Sequence, residues 1–191
     1  FRKFNSLDGI DKKLINYLNY KNGYYIECGA NDGVDKSNTW YFEKQLDWNG
    51  LLIEPHPKLF KSLVKNRNIK NTFVNKALVN QNFKKKKIFL SDSDHTSFTQ
   101  YKKKPDFIEV DCDNLTNILL NNNSPKLIDF FSLDVEGFEF EVLNGIDFNK
   151  YNFKYFLIET KNLEIINFLK NKKYSFIKKL SYHDYLFKYD N

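Results

Sequence analysis

Residues 24–33 read Tyr-Tyr-Ile-Glu-Cys-Gly-Ala-Asn-Asp-Gly, a run of strand-favouring side chains followed by a loop between two glycines. This pattern predicts a buried strand over residues 24–28, and Ser37 is placed to cap the helix that follows. Residues 51–53 predict a second buried strand, and Pro57 begins a second helix. Because the strand, loop and helix unit repeats, the sequence favours parallel strands covered by helices.

The alternation of strands and helices continues on both sides of this stretch. Apolar residues at helical spacing predict an N-terminal helix over residues 8–22. Residues 127–133 form a continuous apolar run, which is typical of a central parallel strand. The other predicted strands are residues 72–79, 86–90, 107–110, 153–158, 174–179 and 184–189, and the other predicted helices are residues 115–119, 138–143 and 163–169. The last two strands predict a hairpin, so we expect a three-layer α/β domain with a mostly parallel, twisted sheet and an antiparallel C-terminal edge.

Length and composition fit one domain. The 191 residues are 41% hydrophobic, which is enough for one core and too little for two. We therefore expect residues 1–191 to form one domain, with a cofactor-binding half over residues 24–80 and a catalytic and substrate half over residues 81–191. No apolar stretch reaches the roughly 20 residues that span a bilayer, and two cysteines do not indicate a disulfide framework. These features predict a cytoplasmic protein without a membrane span.

The chain is basic, with a net charge of +6 and two lysine runs, at residues 84–87 and 102–104. Such runs could contact the phosphates of a nucleic acid. A lysine run usually marks a solvated face, however, so the sequence does not favour a nucleic-acid partner.

The loop after the first strand has the chemistry of a nucleoside site without phosphates. Its glycines stand four residues apart, and Asn31 occupies the place where a dinucleotide-binding fingerprint has another glycine. Glu27 and Asp32 would repel phosphate and attract a cation. Glu54 follows the second strand, where an acidic side chain can accept hydrogen bonds from both ribose hydroxyls. A cationic nucleoside fits this combination, and S-adenosylmethionine is the expected ligand.

Four blocks of the sequence resemble the FkbM family of S-adenosylmethionine-dependent methyltransferases. They are residues 25–33, 37–39, 50–55 and 128–139, and the resemblance covers roughly residues 24–160. Residues 184–187 are similar to the closing strand of the family. The resemblance implies a Rossmann-like class I methyltransferase fold and methylation of a hydroxyl on a small molecule, with a saccharide as the expected acceptor.

The resemblance also implies the cofactor contacts, residue by residue. Residues of the first loop would surround the methionine end, Glu54 the ribose, and His56 with Ala77 the adenine. The cofactor-binding set expected is Glu27, Gly29, Ala30, Asn31, Asp32, Gly33, Asn38, Thr39, Glu54, Pro55, His56, Ala77 and Asp134. Asp134 would lie nearest the sulfonium.

Methyl transfer to a hydroxyl is an in-line displacement in which the hydroxyl must lose a proton. Asp134, Glu136 and Glu159 follow neighbouring predicted strands, so they are the expected catalytic residues. A carboxylate among them could act as a base, or the three together could hold Mg²⁺. The direct base is favoured, because no spacing in the sequence proves that the three side chains converge.

The expected acceptor contacts are in a polar loop containing Asp94, His95 and Ser97, and at the hairpin tip with His183. A solvated turn is the alternative for both places. Two other functions stay open. One is an RNA ribose 2′-O-methyltransferase, in which Asp134, Lys161 and Glu159 would imitate part of a Lys-Asp-Lys-Glu tetrad that lacks its first lysine. The other is a noncatalytic module that binds S-adenosylmethionine.

Overall fold

The structure is a computed structural model that describes residues 3–92, 99–102 and 104–190. A short 3₁₀ turn at Leu7–Gly9 precedes six helices: α1 Ile10–Leu18, α2 Trp40–Leu46, α3 Pro57–Asn66, α4 Leu115–Asn121, α5 Glu139–Leu143 and α6 Glu164–Asn171. The strands are β1 Tyr24–Cys28, β2 Asn49–Ile53, β3 Thr72–Val74, β4 Ala77–Leu78, β5 Lys87–Ser91, β6 Thr99–Gln100, β7 Phe107–Asp113, β8 Leu127–Leu133, β9 Asn152–Glu159, β10 Tyr174–Lys179 and β11 Asp184–Tyr189.

Seven strands form the main sheet, in the order β10-β11-β9-β8-β1-β2-β3. Strands β3, β2, β1, β8 and β9 are parallel, and the β10–β11 hairpin adds an antiparallel edge. The chain first builds outward from β1 through β2 and then returns to β8 on the other side. The strand order therefore reverses between β1 and β8, and their carboxyl ends are where such sheets bind ligands.

Helices cover both faces of this sheet, which confirms the predicted three-layer α/β fold. Successive residues of β8 point to opposite faces, so Phe130 and Phe131 enter different cores. Phe131 packs in a core with α4, α5 and α6, while Phe130 packs in a core with α1, α2 and α3. Both faces of β8 are buried, which explains why its sequence is continuously apolar rather than alternating.

The middle of the chain differs from the prediction. The single strand predicted over residues 72–79 is divided into β3, which extends the main sheet, and β4, which pairs with β7 in a four-stranded sheet. The chain leaves the main sheet at Asn75, whose side-chain amide donates hydrogen bonds to the carbonyl oxygens of Glu54 and Pro55. This contact ties the break in the strand to the loop after β2.

The N-terminal helix is also shorter than residues 8–22. It ends at Leu18, because Tyr20 already turns back to the Leu18 carbonyl and Asn22 has a left-handed backbone with φ 60°. Within the described parts of the chain, no helix combines the length and the apolar character needed to cross a bilayer.

Candidate functional site

The loop after β1 lies directly against the end of β8. The main-chain nitrogens of Gly29 and Ala30 each donate to the Ile53 oxygen at 3.1 Å, and the Asp134 nitrogen donates to the Cys28 oxygen at 3.1 Å. Gly29 has φ 77°, and a Cβ there would lie 1.8 Å from the Asp134 oxygen. Only glycine therefore allows the two chain segments to approach this closely.

A cavity opens above these strand ends, at the reversal of strand order. Eleven of the expected site residues line it: Glu27, Gly29, Ala30, Asn31, Asn38, Glu54, Pro55, Ala77, Asp134, Glu136 and Glu159. Because the carboxyl ends of parallel strands lie at one edge of the sheet, the fold brings together side chains that are more than 130 residues apart in the chain.

Four expected cofactor residues lie behind the cavity wall. Asp32 accepts hydrogen bonds from the main-chain nitrogens of Val34 and Asp35 and so holds the loop turn. A Cβ at Gly33 would meet the side chains of Leu63 and Arg67 rather than the cavity. Thr39 is fully buried and donates to Glu27, and the His56 ring lies 3.2 Å from Asp92. These four residues therefore pack behind the residues that form the cavity surface.

Glu27 lines the cavity, but its carboxylate already has several donors. It accepts hydrogen bonds from the Ser37 and Thr39 hydroxyls and from the Asn38 main-chain nitrogen. Ser37 in turn accepts from the main-chain nitrogens of Thr39 and Trp40, but the N-cap of α2 is Thr39, so the cap predicted at Ser37 lies two residues too early. Glu27 therefore holds the β1 loop and the start of α2 in a fixed arrangement.

Arg67 completes this network from below the loop, and no pattern in the sequence identifies it as a site residue. Its buried guanidinium forms salt bridges with Glu27 at 3.2 Å and Glu43 at 2.7 Å. It also donates to the Tyr25 hydroxyl and the Gly33 oxygen. Burial opposes ionisation of Glu43, but Arg67, Lys44 and Asn71 together outweigh it and lower the pKa of Glu43 to about 2.

Glu54 is the buried acid at the end of β2. Its two carboxylate oxygens accept from the main-chain nitrogens of Asn31 at 2.9 Å and His56 at 2.8 Å. Burial raises the pKa of Glu54 to about 7, although the two hydrogen bonds oppose this shift. Glu54 is 4% exposed and lies on the cavity wall, so a ligand there would meet a carboxyl group close to its titration point at neutral pH.

Four carboxyl groups crowd the other side of the cavity: Asp134, Glu136, Glu159 and Asp184. Burial, and then the Glu159 carboxylate, raise the pKa of Asp134, and the two side chains are hydrogen-bonded. Burial also raises the pKa of Glu159 and of Asp184. All three shifts favour the protonated form of these carboxyl groups.

The expected acceptor residues are only partly described. Asp94, His95 and Ser97 lie outside the described residues. His183 does not line the cavity, but its Nε2 lies 3.1 Å from Glu159 Oε1 at the cavity rim. Sequence reasoning missed Asp184, Leu7 and Ile10, all of which line the cavity. The amphipathic spacing of α1 identified Ile10 as buried, but nothing in that spacing indicates that α1 closes one side of the site.

The cavity suits S-adenosylmethionine on structural grounds. The Oδ1 atom of Asn38 is buried without a hydrogen-bond partner, while its Nδ2 donates to Ser132. An unpaired buried acceptor beside acidic groups matches the cationic ammonium of an amino acid. Glu54 has carboxylate oxygens of the kind that accept hydrogen bonds from ribose hydroxyls, and the loop lacks the Gly-Lys-Ser/Thr of a phosphate-binding loop, because its lysine, Lys36, follows Asp35.

The mostly parallel sheet with this strand order has the fold of class I methyltransferases. Residues 27–176 match the family described as "Methyltransferase FkbM domain", and the chain belongs to this family. A search of the curated proteins finds no match.

Three solved structures share the fold. Methyltransferase FkbM from Methylobacillus flagellatus KT is 16% identical with a TM-score of 0.57, over 91% of this chain and 45% of that one. Precorrin-6y C5,15-methyltransferase from Geobacter metallireducens GS-15 is 10% identical with a TM-score of 0.53, over 94% and 85%. The METTL16 MTase domain is 12% identical with a TM-score of 0.51, over 94% and 64%. The chain thus spans less than half the length of the Methylobacillus protein.

Proposed function

We propose that this protein transfers a methyl group from S-adenosylmethionine to a hydroxyl of a small acceptor, with a saccharide as the expected class. The observation that carries the proposal is the cavity at the reversal of strand order. Glu54 lies on one side of it, and the carboxyl groups of Asp134, Glu136, Glu159 and Asp184 lie on the other. Family membership supports the methyl donor, and the resemblance noted in the sequence supports the hydroxyl acceptor.

The cavity wall offers a separate partner for each part of the donor. Glu54 accepts hydrogen bonds from the ribose, and Ala77 with Pro55 provides the apolar surface for the adenine. Asn38 Oδ1 receives the ammonium of the amino-acid end. The carboxyl groups around Asp134 stabilise a positive charge, because opposite charges attract strongly in a cavity of low dielectric.

S-adenosylmethionine supplies a methyl carbon bonded to a positively charged sulfur. The chain's own contribution is to align the acceptor and to take its proton, which is released as the acceptor oxygen forms its bond to carbon and the carbon–sulfur bond breaks. Burial raises the pKa of both Asp134 and Glu159, and one carboxylate of this pair takes the proton as the base.

The charge of the wall favours a neutral, hydroxylated acceptor over a polyanion. The described residues that line the cavity include seven carboxyl groups and two lysines, namely Glu27, Asp35, Glu54, Asp134, Glu136, Glu159 and Asp184 against Lys36 and Lys76. A nucleic acid would meet repulsion there. Lys161, which the RNA hypothesis requires near Asp134, is exposed and is not among the residues lining the cavity.

The test uses S-adenosylmethionine with a radiolabelled methyl group and a panel of hydroxylated acceptors, beginning with methyl glycosides and free hexoses. We expect label in a product that survives strong base, because a methyl ether is stable where a methyl ester is hydrolysed. Labelled RNA, identified by ribonuclease sensitivity, would support the alternative acceptor. Tight binding of S-adenosylhomocysteine without transfer to any acceptor or cell extract would support the noncatalytic module.

The variant that tests the base is Asp134→Asn, which keeps the size of the side chain and removes its carboxyl group. It should abolish transfer while the far-ultraviolet circular dichroism and the affinity for S-adenosylhomocysteine stay close to those of the wild type. An equal loss of melting temperature and activity would make Asp134 a structural residue instead.

A further inference from the structure

Two carboxyl groups and one imidazole lie close together at the rim of the cavity. Glu159, His183 and Asp184 each offer one ligand atom, and these atoms all lie within 4.8 Å of one another. His183 Nε2 is 3.1 Å from Glu159 Oε1. An imidazole nitrogen with two carboxylate oxygens at this spacing is the donor set of a divalent-cation site, with positions left open toward the cavity.

The backbone holds these three residues in place. Strands β9 and β11 pair antiparallel, with Glu159 directly opposite Asp184. The Thr160 nitrogen donates to the His183 oxygen at 2.9 Å, and the His183 nitrogen donates to the Ser181 hydroxyl at 3.2 Å. The donor set thus lies at the end of a strand pair rather than on an unsupported loop, which suits a site that requires fixed geometry.

Asp184 places a carboxylate at the cavity wall beside the other two donors. It is 5% exposed and lines the cavity, and its Oδ2 accepts from the Ser181 hydroxyl. Its Oδ1 has no hydrogen-bond partner, and Asp184 has no salt bridge, within the part of the chain that the structure describes. The nearby Lys13 amine donates instead to the Leu180 oxygen at 2.6 Å. Because Asp184 lines the cavity, this oxygen is available as a ligand to a cation there.

We propose that Glu159, His183 and Asp184 bind a divalent transition-metal cation, with Mn²⁺ as the expected ion. This set replaces the one expected from the sequence, because it includes His183 and Asp184 in place of Asp134 and Glu136. Mg²⁺ prefers ligands that are all oxygen, whereas an imidazole ligand favours Mn²⁺ and the later divalent metals. The role of the ion rests on the proposed function: a cation here acidifies the acceptor hydroxyl.

The test is a titration of the full chain with Mn²⁺ alone, followed by electron paramagnetic resonance of the free ion. We expect one Mn²⁺ per chain, with affinity weakened about tenfold or more in His183→Ala and in Asp184→Asn. The control Glu109→Gln removes an exposed carboxylate on β7 and should leave Mn²⁺ affinity unchanged. Mg²⁺ should displace Mn²⁺ only at about tenfold or greater excess.

Absence of saturable Mn²⁺ binding, or equal binding by wild type and His183→Ala, would overturn the proposal. Circular dichroism of each variant shows whether it is folded, and a variant that does not fold is replaced by His183→Gln, for which the same loss is expected. Affinity for S-adenosylhomocysteine is measured in parallel with a chelator present. Retained nucleoside binding without Mn²⁺ binding would reject the metal site and leave the proposed function intact.

Discussion

A Cβ at Gly29 would lie 1.8 Å from the main-chain oxygen of Asp134, so the two strand ends that flank the cavity touch through backbone alone. This contact fixes the distance between the loop after β1 and Asp134, which carries the carboxyl group nearest the proposed reaction. Any side chain at position 29 would therefore push the end of β1 away from the end of β8.

Substitution of Gly29 by alanine should therefore damage both fold and site. We expect Gly29→Ala to lower the free energy of unfolding by about 2–4 kcal/mol, since overpacking against backbone adds to the strain of a positive φ. Gly9→Ala is the matched control, because Gly9 has φ 64° but nothing within 4 Å of its Cβ position. It should cost only about 1 kcal/mol in urea unfolding. Equal costs for the two variants would mean that the Asp134 contact is not limiting.

Among the charged residues, we expect the loss of Arg67 to lower the free energy of unfolding the most. Arg67→Ala leaves Glu27 buried without a cation and Glu43 with Lys44 alone, so we expect a loss of about 3–5 kcal/mol in the free energy of unfolding. Lys65→Ala, an exposed change on α3, should stay within about 0.5 kcal/mol. A loss below about 1 kcal/mol for Arg67→Ala would show that other donors satisfy the two carboxylates.

Acid should weaken this network through Glu43. The pKa of Glu43 is about 2 in the folded protein and its ordinary value is 4.5, so its contribution is present above pH 4.5 and is lost as the pH falls toward 2. The stability difference between wild type and Glu43→Gln, measured by urea unfolding at several pH values, should shrink over that interval. The exposed control Glu164→Gln should show no such trend. A difference independent of pH would contradict the ion pair.

Glu54 should make nucleoside binding depend on pH near neutrality. Its pKa is about 7 in the free protein, and a ribose donates its hydroxyls to the ionised form. Affinity for S-adenosylhomocysteine should fall by up to about tenfold per pH unit below 7, because binding must then displace a proton. Glu54→Gln should bind about tenfold more weakly at pH 8 and lose the dependence. Calorimetry of the two proteins at pH 6 and pH 8 measures both effects.

Much of the site was predictable because carboxyl ends of parallel strands share one edge of a sheet. Glu54, Asp134 and Glu159 each follow an apolar run, so their convergence required only the strand order. Gly29 was recognisable for the same reason, since it follows the first of these runs.

Other residues depend on information that no local pattern carries. Arg67 reaches the site from beyond the end of α3, and only the folded chain places it against Glu27. Asp184 faces Glu159 through an antiparallel register, and the sequence predicted the hairpin but not which residues oppose β9. The break at Asn75 was missed because residues 72–79 favour a strand throughout, while pairing with β2 and with β7 pulls its halves into different sheets.

The central claim is that this cavity binds an adenosyl sulfur nucleoside, and calorimetric titration with S-adenosylhomocysteine tests it most directly. The account predicts one saturable site per chain with Kd at or below about 100 µM, weakened in Glu54→Gln. Absence of saturable binding at about 1 mM ligand by folded wild-type protein would contradict it.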